Sequence, residues 1–347
     1  MSLEPSAPDD MLRAATARVF GDILTDAARA KLAEGAPPQE LWAALEALGL
    51  PYALAPERAG GFGAPAAEAL SLLALAGEHA LPLPLAETML ARFLLAKAGV
   101  DAPAGLLSVA PGAEVFVSGA RRATGRAWNV PWGRHAACVV IAAQTARGPV
   151  IMAAPRSSLK VEPGVNMAGD PCDTIQFDSA AAVSTPFGPL EVRAAMAATR
   201  ALMIAGALRA VTAMTTQYAQ DRKQFGRAIG KFQAIQQNLA VLASQSASAS
   251  AAAEMAGEAV AAWGPGLPLA VAAAKVRCGE AAGLGAALAH QIHGAIGFTQ
   301  EYRLHHYTRR LLAWRDEYGR ESEWARLLGR HLIAAGPEGL WPAITAI

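Results

Sequence analysis

The sequence predicts a mainly α chain with a central β module, and three observations carry that expectation. Apolar residues recur at helical spacing over residues 11 to about 100, and again from Leu190 onward. Between about 104 and 188 they give way to short β-prone runs separated by turn clusters, with no helix-length periodic segment. Apolar residues make up 53% and charged residues 17% of the 347, which excludes disorder and leaves material for a large core. The expected organisation is an N-terminal helical domain over residues 1–103, a small β-barrel-like domain over 104–188 and a C-terminal helical bundle over 189–347, consistent with roughly 150 residues per domain.

Taken in order, Leu12, Ala15, Val19, Phe20, Ile23 and Leu24 form the first apolar stripe, with Asp9 and Asp10 placed to cap its start. Pro37 and Pro38 break that helix and open another, which carries Leu41, Trp42, Leu45 and Leu48 on one face. Gly60-Gly61-Phe62-Gly63 and Leu81-Pro82-Leu83-Pro84 mark loops, leaving helices near Ala66 to Glu78 and Ala86 to Ala98. Glu114 to Val117, Cys138 to Ile141 and Thr174 to Phe177 read as strands. The turns between strands fall at Pro111-Gly112, Arg147-Gly148-Pro149 and Glu162-Pro163-Gly164, which predicts a small antiparallel sheet or barrel. The bundle then comprises Leu190 to about Asp221, Phe232 to Ala262, Leu269 to about His290, Arg303 to Arg315 and Ser322 to Ala334. The Ala- and Ser-rich second of these is expected deep in the bundle, where small residues allow close approach.

Several function classes are excluded. A formal net charge of +1 offers no broad basic field for nucleic acid or an anionic membrane. Cys138, Cys172 and Cys278 are too few and scattered for a disulfide scaffold or a zinc cluster, so a reducing cytoplasm is expected. The stretch from Met1 to Asp10 is acidic and Pro-rich, without the regions of a secretory signal. Ala194 to Met214 is long and apolar, but Arg200 and Arg209 interrupt it, so a buried helix is expected rather than a membrane span. No P-loop and no G-x-S-x-G turn is present. Gly283-Leu284-Gly285 lies in an Ala-rich helical run and reads as helix packing, not a dinucleotide fingerprint. His290 and His293 share a helical face but lack a carboxylate or Cys partner at ligand spacing, so no metal is expected.

Two features ask for a chemical reason. Asp221 to Arg227 is a basic, Gly-containing turn between apolar helices, followed by Ile229, Phe232 and Gln233. It is either a solvated connection or a guanidinium reserved for a phosphate, which Arg serves through paired N–H donors. Gln291-Ile292-His293-Gly294-Ala295-Ile296-Gly297-Phe298-Thr299 carries two glycines that let backbone approach a ligand closely.

Together these residues resemble the acyl-CoA dehydrogenases, flavoenzymes of fatty-acid and related acyl-thioester oxidation. The helix–β–helix order matches that fold over nearly the whole chain. Arg222-Lys223-Gln224-Phe225-Gly226 is similar to the family's R-x-x-F-G element, with Gln233 at the position of its FAD-contacting Gln, 233 − 222 = 11 residues on. Gln291 to Phe298 is similar to the family's Q-x-x-G-x-x-G-[FY] segment, and Leu48-Gly49-Leu50, Pro56-Glu57 and Gly60-Gly61-Phe62-Gly63 look like further landmarks. The resemblance implies that Arg222 and Phe225 meet the FAD of a neighbouring subunit, with Gln224 a further cofactor-binding residue. It also implies that Gln291, Ile292, His293, Gly294 and Ala295 lie along the pyrophosphate and ribose. It further implies an acyl-CoA substrate, an electron-transfer flavoprotein as acceptor and a homo-oligomer, dimer or tetramer.

Departures from the family pattern define the alternatives. The middle segment is short and lacks the T-E-P-x-x-G-S-D and W-I-[ST]-N runs that cradle the isoalloxazine ring, leaving Trp132 and Thr174 as loose candidates. Removing the α-proton while the β-hydrogen leaves as hydride requires a carboxylate near the α-carbon and an electron sink that side chains cannot supply. Where many members have Y-E-G-T, this chain has Trp314-Arg315-Asp316-Glu317-Tyr318-Gly319-Arg320, so Tyr318 takes the expected position and Glu317 stands one residue early. The alternative family position, on the first long bundle helix, holds Met196 and Ala197. Glu317 is therefore the candidate base with Asp316 behind it, and an ion pair of Glu317 with Arg315 or Arg320 is the structural alternative. Hence a flavin- or base-deficient partner in a hetero-oligomer, or a non-catalytic helical interaction protein, stands beside the enzyme.

Overall fold

In the computed structural model, which describes residues 8–110, 114–118 and 122–345, the N-terminal periodicity resolves into helices α1 (Pro8–Ile23), α2 (Asp26–Ala33), α3 (Gln39–Ala47), α4 (Ala66–Glu78) and α5 (Leu85–Lys97). Asp9 and Asp10 fall inside α1 rather than ahead of it. The unanticipated break is at Thr25, whose hydroxyl accepts from the Ala28 N–H at 3.1 Å and starts α2. The segment Met1 to Ala7 and the Pro111-Gly112 turn lie outside the described residues.

The β module comprises β1 (Leu107–Ala110), β2 (Glu114–Ser118), β3 (Arg122–Pro131), β4 (Cys138–Thr145), β5 (Gly148–Pro155), β6 (Leu159–Glu162) and β7 (Cys172–Ser184). Their order in the sheet is β1-β4-β5-β7-β3-β2, with β6 also paired to β7. The expected wholly antiparallel sheet needs one correction, because β1 and β4 run parallel from Leu107↔Cys138 to Ala110↔Ile141. Parallel neighbours need a crossover, and here the chain makes it through β2 and β3. Thr88 on α5 ties this sheet to the helices, donating to the Leu107 carbonyl at 2.9 Å and accepting from its N–H at 3.0 Å.

After the sheet come α6 (Pro189–Asp221), a hairpin of β8 (Lys223–Gln224) and β9 (Arg227–Ala228), then α7 (Gln233–Ala262), α8 (Leu267–His293), α9 (Leu304–Asp316) and α10 (Glu321–Thr345). The chain divides into two compact units, residues 1–72 with 81–196 and residues 73–80 with 197–347. Within the first, the core lies on the sheet and α5, around Val139, Val140, Ile141, Met89 and Leu90. Within the second, Gly77 and Gly206 let two backbones touch. A Cβ on Gly206 would lie 1.7 Å from the Ala74 carbonyl oxygen, and one on Gly77 would lie 2.0 Å from that of Met203.

Helix α6 is long and apolar enough to cross a membrane by length and composition, but 89% of its apolar window is buried in protein. Helix α7 does not lie deep in the chain as expected. It buries a single stripe, Leu242, Ser246, Ala249, Ala253, Ala256 and Val260, because its small residues serve one close face against α8.

Candidate functional site

The basic turn after α6 is a β-hairpin whose two-residue loop, Phe225 at φ 49° and Gly226 at φ 78°, has both residues in the left-handed region. Two positive φ values suit the right-handed twist of a tight hairpin. Glycine takes such a conformation freely, but a phenylalanine there costs about 1 kcal/mol or more. Packing does not explain Phe225, since its side chain is 90% exposed and meets Phe232 only edge-on, with ring centroids 6.1 Å apart. A strained, exposed aromatic at a loop tip points to something the chain binds.

Below this tip the hairpin is firmly seated. Ala219, Ile229 and Ile292 form a small buried cluster, with Tyr218, Phe232, Ile235 and Leu239 packed against it. The Ile229 N–H donates to the Arg222 carbonyl at 2.8 Å, and the Arg227 guanidinium lies 4.1 Å above the Phe232 ring. Arg222, Lys223, Gln224, Arg227 and Gln233 all face outward.

Ile292 brings the second sequence feature to the same place. Helix α8 ends at His293, and Gly294 then adopts φ 63° and ψ −142°, with open space where a Cβ would stand. His293 is buried and stacked on Tyr218 at 4.4 Å. Its Nδ1 is paired with the Ala289 carbonyl at 2.8 Å and its Nε2 with the Tyr302 hydroxyl at 3.2 Å. Tyr218 in turn donates to the His293 carbonyl at 3.2 Å. Ile292 and His293 therefore point inward, while Gln291, Gly294 and Ala295 face outward beside the hairpin. His290 stacks on exposed Phe298 at 4.4 Å and pairs with the Thr308 hydroxyl at 3.0 Å. Burial lowers the pKa of both histidines, so both rings are neutral near pH 7. Among the described residues no group of three or more His, Cys, Asp or Glu could hold a metal.

This outward face offers guanidinium and amide donors, a glycine with open backbone and flat apolar groups. That set fits a pyrophosphate-bearing dinucleotide with stacking rings. In the β module, Trp132 is buried at φ 55° and Thr174 is half-buried on β7.

The candidate base stands elsewhere in the second unit. Glu317 Oε2 is 2.5 Å from Arg200 Nε, and both side chains are nearly buried, at 14% and 5% exposure. The ion pair is thus made with α6, not with Arg315 or Arg320. Arg315 pairs instead with Glu321, and Arg320 with Asp316 at 2.9 Å. Arg200 lies one helical turn beyond Met196, so a single pair joins the neighbourhoods of the family's two base positions. Tyr318 at φ 60° and Gly319 at φ 112° turn the chain sharply after Glu317, and the Arg200 guanidinium lies 5.3 Å from the Tyr318 ring centroid. Fully buried Lys275 of α8 donates to the carbonyls of Trp314 at 2.8 Å, Arg315 at 3.1 Å and Glu317 at 3.0 Å. Sequence pattern marks Arg200 only as an interruption of an apolar run and does not mark Lys275, because each shares its helix with other cations, Arg193 and Arg209 in α6 and Arg277 in α8.

Residues 192–329 match the model of the acyl-CoA dehydrogenase C-terminal domain. Acyl-CoA dehydrogenase IpdE2 of Mycobacterium tuberculosis is 31% identical over 290 residues, 78% of this chain and 80% of that protein. The ChsE4–ChsE5 complex from Mycobacterium tuberculosis includes a chain with the same fold, at TM-score 0.85 and 20% identity over 97% of this chain and all of that one. A variant of the Tcur3481–Tcur3483 steroid ACAD superposes at TM-score 0.83 with 25% identity, over 94% of this chain and 98% of that one. On the strength of the IpdE2 match and of the two motifs that meet on one face, this chain belongs to the acyl-CoA dehydrogenase family.

Proposed function

We propose that the chain is an FAD-dependent acyl-CoA dehydrogenase that desaturates an acyl-CoA thioester between its α and β carbons, in the cytoplasm and as an oligomer. The observation that carries this reading is the strained, exposed Phe225 tip beside Arg222 and the Gly294 backbone. When bound, FAD supplies the acceptor for the hydride leaving the β-carbon, and the electrons go on to an electron-transfer flavoprotein. Arg222 and Gln291 would hold its phosphates and ribose, with Gln224 and Gln233 as further donors and Phe225 covering an aromatic face. Glu317 would take the α-proton onto a carboxylate oxygen, with Arg200 holding that carboxylate in place beforehand.

The test is flavin content and flavin reduction in purified protein across straight, branched and ring-bearing acyl-CoA thioesters. A steroid-derived thioester heads the panel, because a similar structure is a steroid ACAD. A colourless protein that takes up no FAD on titration would overturn the proposal. Glu317→Gln should keep FAD and slow flavin reduction about 100-fold or more, with Asp316→Asn doing far less.

A hetero-oligomer is the second reading, favoured by one observation. The carboxylate nearest the base position is already engaged by Arg200 at 2.5 Å. In that arrangement the chain supplies its hairpin and Gln291 face to a related subunit that brings the base. Co-purification of a longer family member, with Glu317→Gln leaving the joint activity intact, would support it. Full activity of the single chain would sink it.

A further inference from the structure

The turn that carries Glu317 is held from within by one side chain. Lys275 is fully buried, and its three N–H bonds go to the carbonyls of Trp314, Arg315 and Glu317 at 2.8 to 3.1 Å. An ammonium has three donors and no acceptor, so this geometry uses it completely. The last carbonyls of a helix have no partner within the helix, and elsewhere water or a glycine cap serves them. Here a buried cation serves them instead, at the negative end of α9.

The same face of α8 shapes the rest of the turn. One turn beyond Lys275, a Cβ on Gly279 would lie 2.7 Å from the Glu321 carboxyl group. A further turn along, a Cβ on Gly283 would lie 3.1 Å from the Arg315 guanidinium. The Arg315–Glu321 pair thus rests against the Cβ-free surface of these two glycines. Lys275 from α8 and Arg200 from α6 fix the backbone and the carboxylate of Glu317 respectively.

We infer that Lys275 is a positioning residue whose ammonium sets the 314–319 turn, and with it the reach of the Glu317 carboxylate toward a bound acyl thioester. The inference rests on the reading of Glu317 as the base. Burial lowers the Lys275 pKa to about 8. Glu317, Cys278 and Glu321 act against that lowering and Arg200 adds to it; these are the charged and titratable groups that face the ammonium. A neutral amine has two N–H bonds for three carbonyls, so loss of the proton leaves one carbonyl unserved.

The test compares the unmodified FAD-bound protein with Lys275→Met, Lys275→Arg and Glu317→Gln. Amide hydrogen exchange is followed at Glu317 and Gly319, with α7 as internal reference. The Glu317 side chain is followed by carbon NMR of its carboxylate, assigned with Glu317→Gln. At about pH 7, Lys275→Met should speed exchange of both amides at least ~10-fold and leave α7 within about twofold, and Lys275→Arg should restore part of the protection. In the unmodified protein the carboxylate signal should show an inflection near pH 8 that Lys275→Met abolishes. Unchanged exchange in a folded Lys275→Met, or an inflection that survives it, overturns the inference. If Lys275→Met does not fold, the unmodified protein decides. Its turn should lose protection, corrected for intrinsic rates, between about pH 7 and about pH 9.5, and constant protection overturns the inference. A Glu317→Gln that reduces flavin at the unmodified rate removes the base reading alone, because the exchange result still reports on Lys275.

Discussion

Arg200 is buried within the long apolar window of α6, where Glu317 meets its charge at 2.5 Å. Such a pair contributes little relative to two apolar side chains, but removing one partner is costly, because the other charge keeps its burial and loses its nearest counter-charge. Arg200→Met should therefore destabilise the protein by about 3 kcal/mol, measured as a shift in the denaturant midpoint at unchanged slope. Adding Glu317→Leu to Arg200→Met should recover most of that loss. If the double variant is no more stable than the single one, the two residues do not act as a pair. Phe225 behaves in the opposite way, since its side chain is almost entirely exposed. Phe225→Ala should change stability by no more than about 0.5 kcal/mol while weakening FAD retention, measured by flavin content after gel filtration. Retained flavin would remove Phe225 from the proposed cofactor contacts.

At the level of whole elements, the crossing of residues 73–80 with α6 depends on two glycines rather than on large side chains. A Cβ on Gly206 would stand 1.7 Å from the Ala74 carbonyl oxygen and 2.9 Å from the Glu78 nitrogen, so the backbones would have to separate. Gly206→Ala should cost more than about 3 kcal/mol, well beyond the roughly 1 kcal/mol that alanine gains over glycine in a helix. A thermal midpoint unchanged within a degree or so would contradict that contact. Around the same crossing, Arg209 pairs with Glu78 at 2.9 Å, and the Tyr307 hydroxyl donates to the Glu78 carbonyl at 3.0 Å. Short-range packing and polar pairing thus fix one and the same geometry there.

At the scale of the whole molecule, partly and fully buried histidines give stability a pH dependence that the net charge of +1 does not describe. Burial depresses the pKa of His290 and His293 below the ordinary 6.5. Below about pH 6.5 the unfolded chain therefore binds protons that the folded chain refuses. The stability these rings contribute is present above that pH and is lost as pH falls through their folded values. The fall in stability with acid should be shallower in a variant carrying His290→Gln and His293→Gln, measured by denaturant titration from about pH 7.5 to about pH 5. An identical slope would show that other groups govern acid sensitivity.

Local residue pattern specifies the class of the fold and the two segments that meet at the candidate cofactor face. Helical periodicity, β-prone runs and turn residues are local properties, and the Gly226 and Gly294 positions show themselves through glycines that a positive φ favours. It also marked Glu317 as the carboxylate nearest the base position. What Glu317 faces depends on long-range packing, because Arg200 lies 117 positions away and no pattern along the chain encodes that distance. Lys275 is the same case, a cation near Arg277 in an Ala-rich helix, with its three partners 39 to 42 residues away. The parallel pairing of β1 with β4 and the one-sided burial of α7 were likewise settled by neighbours remote in sequence. Burial and pairing are properties of the packed interior, where desolvation makes an unpartnered charge or carbonyl costly and so selects which distant groups must meet.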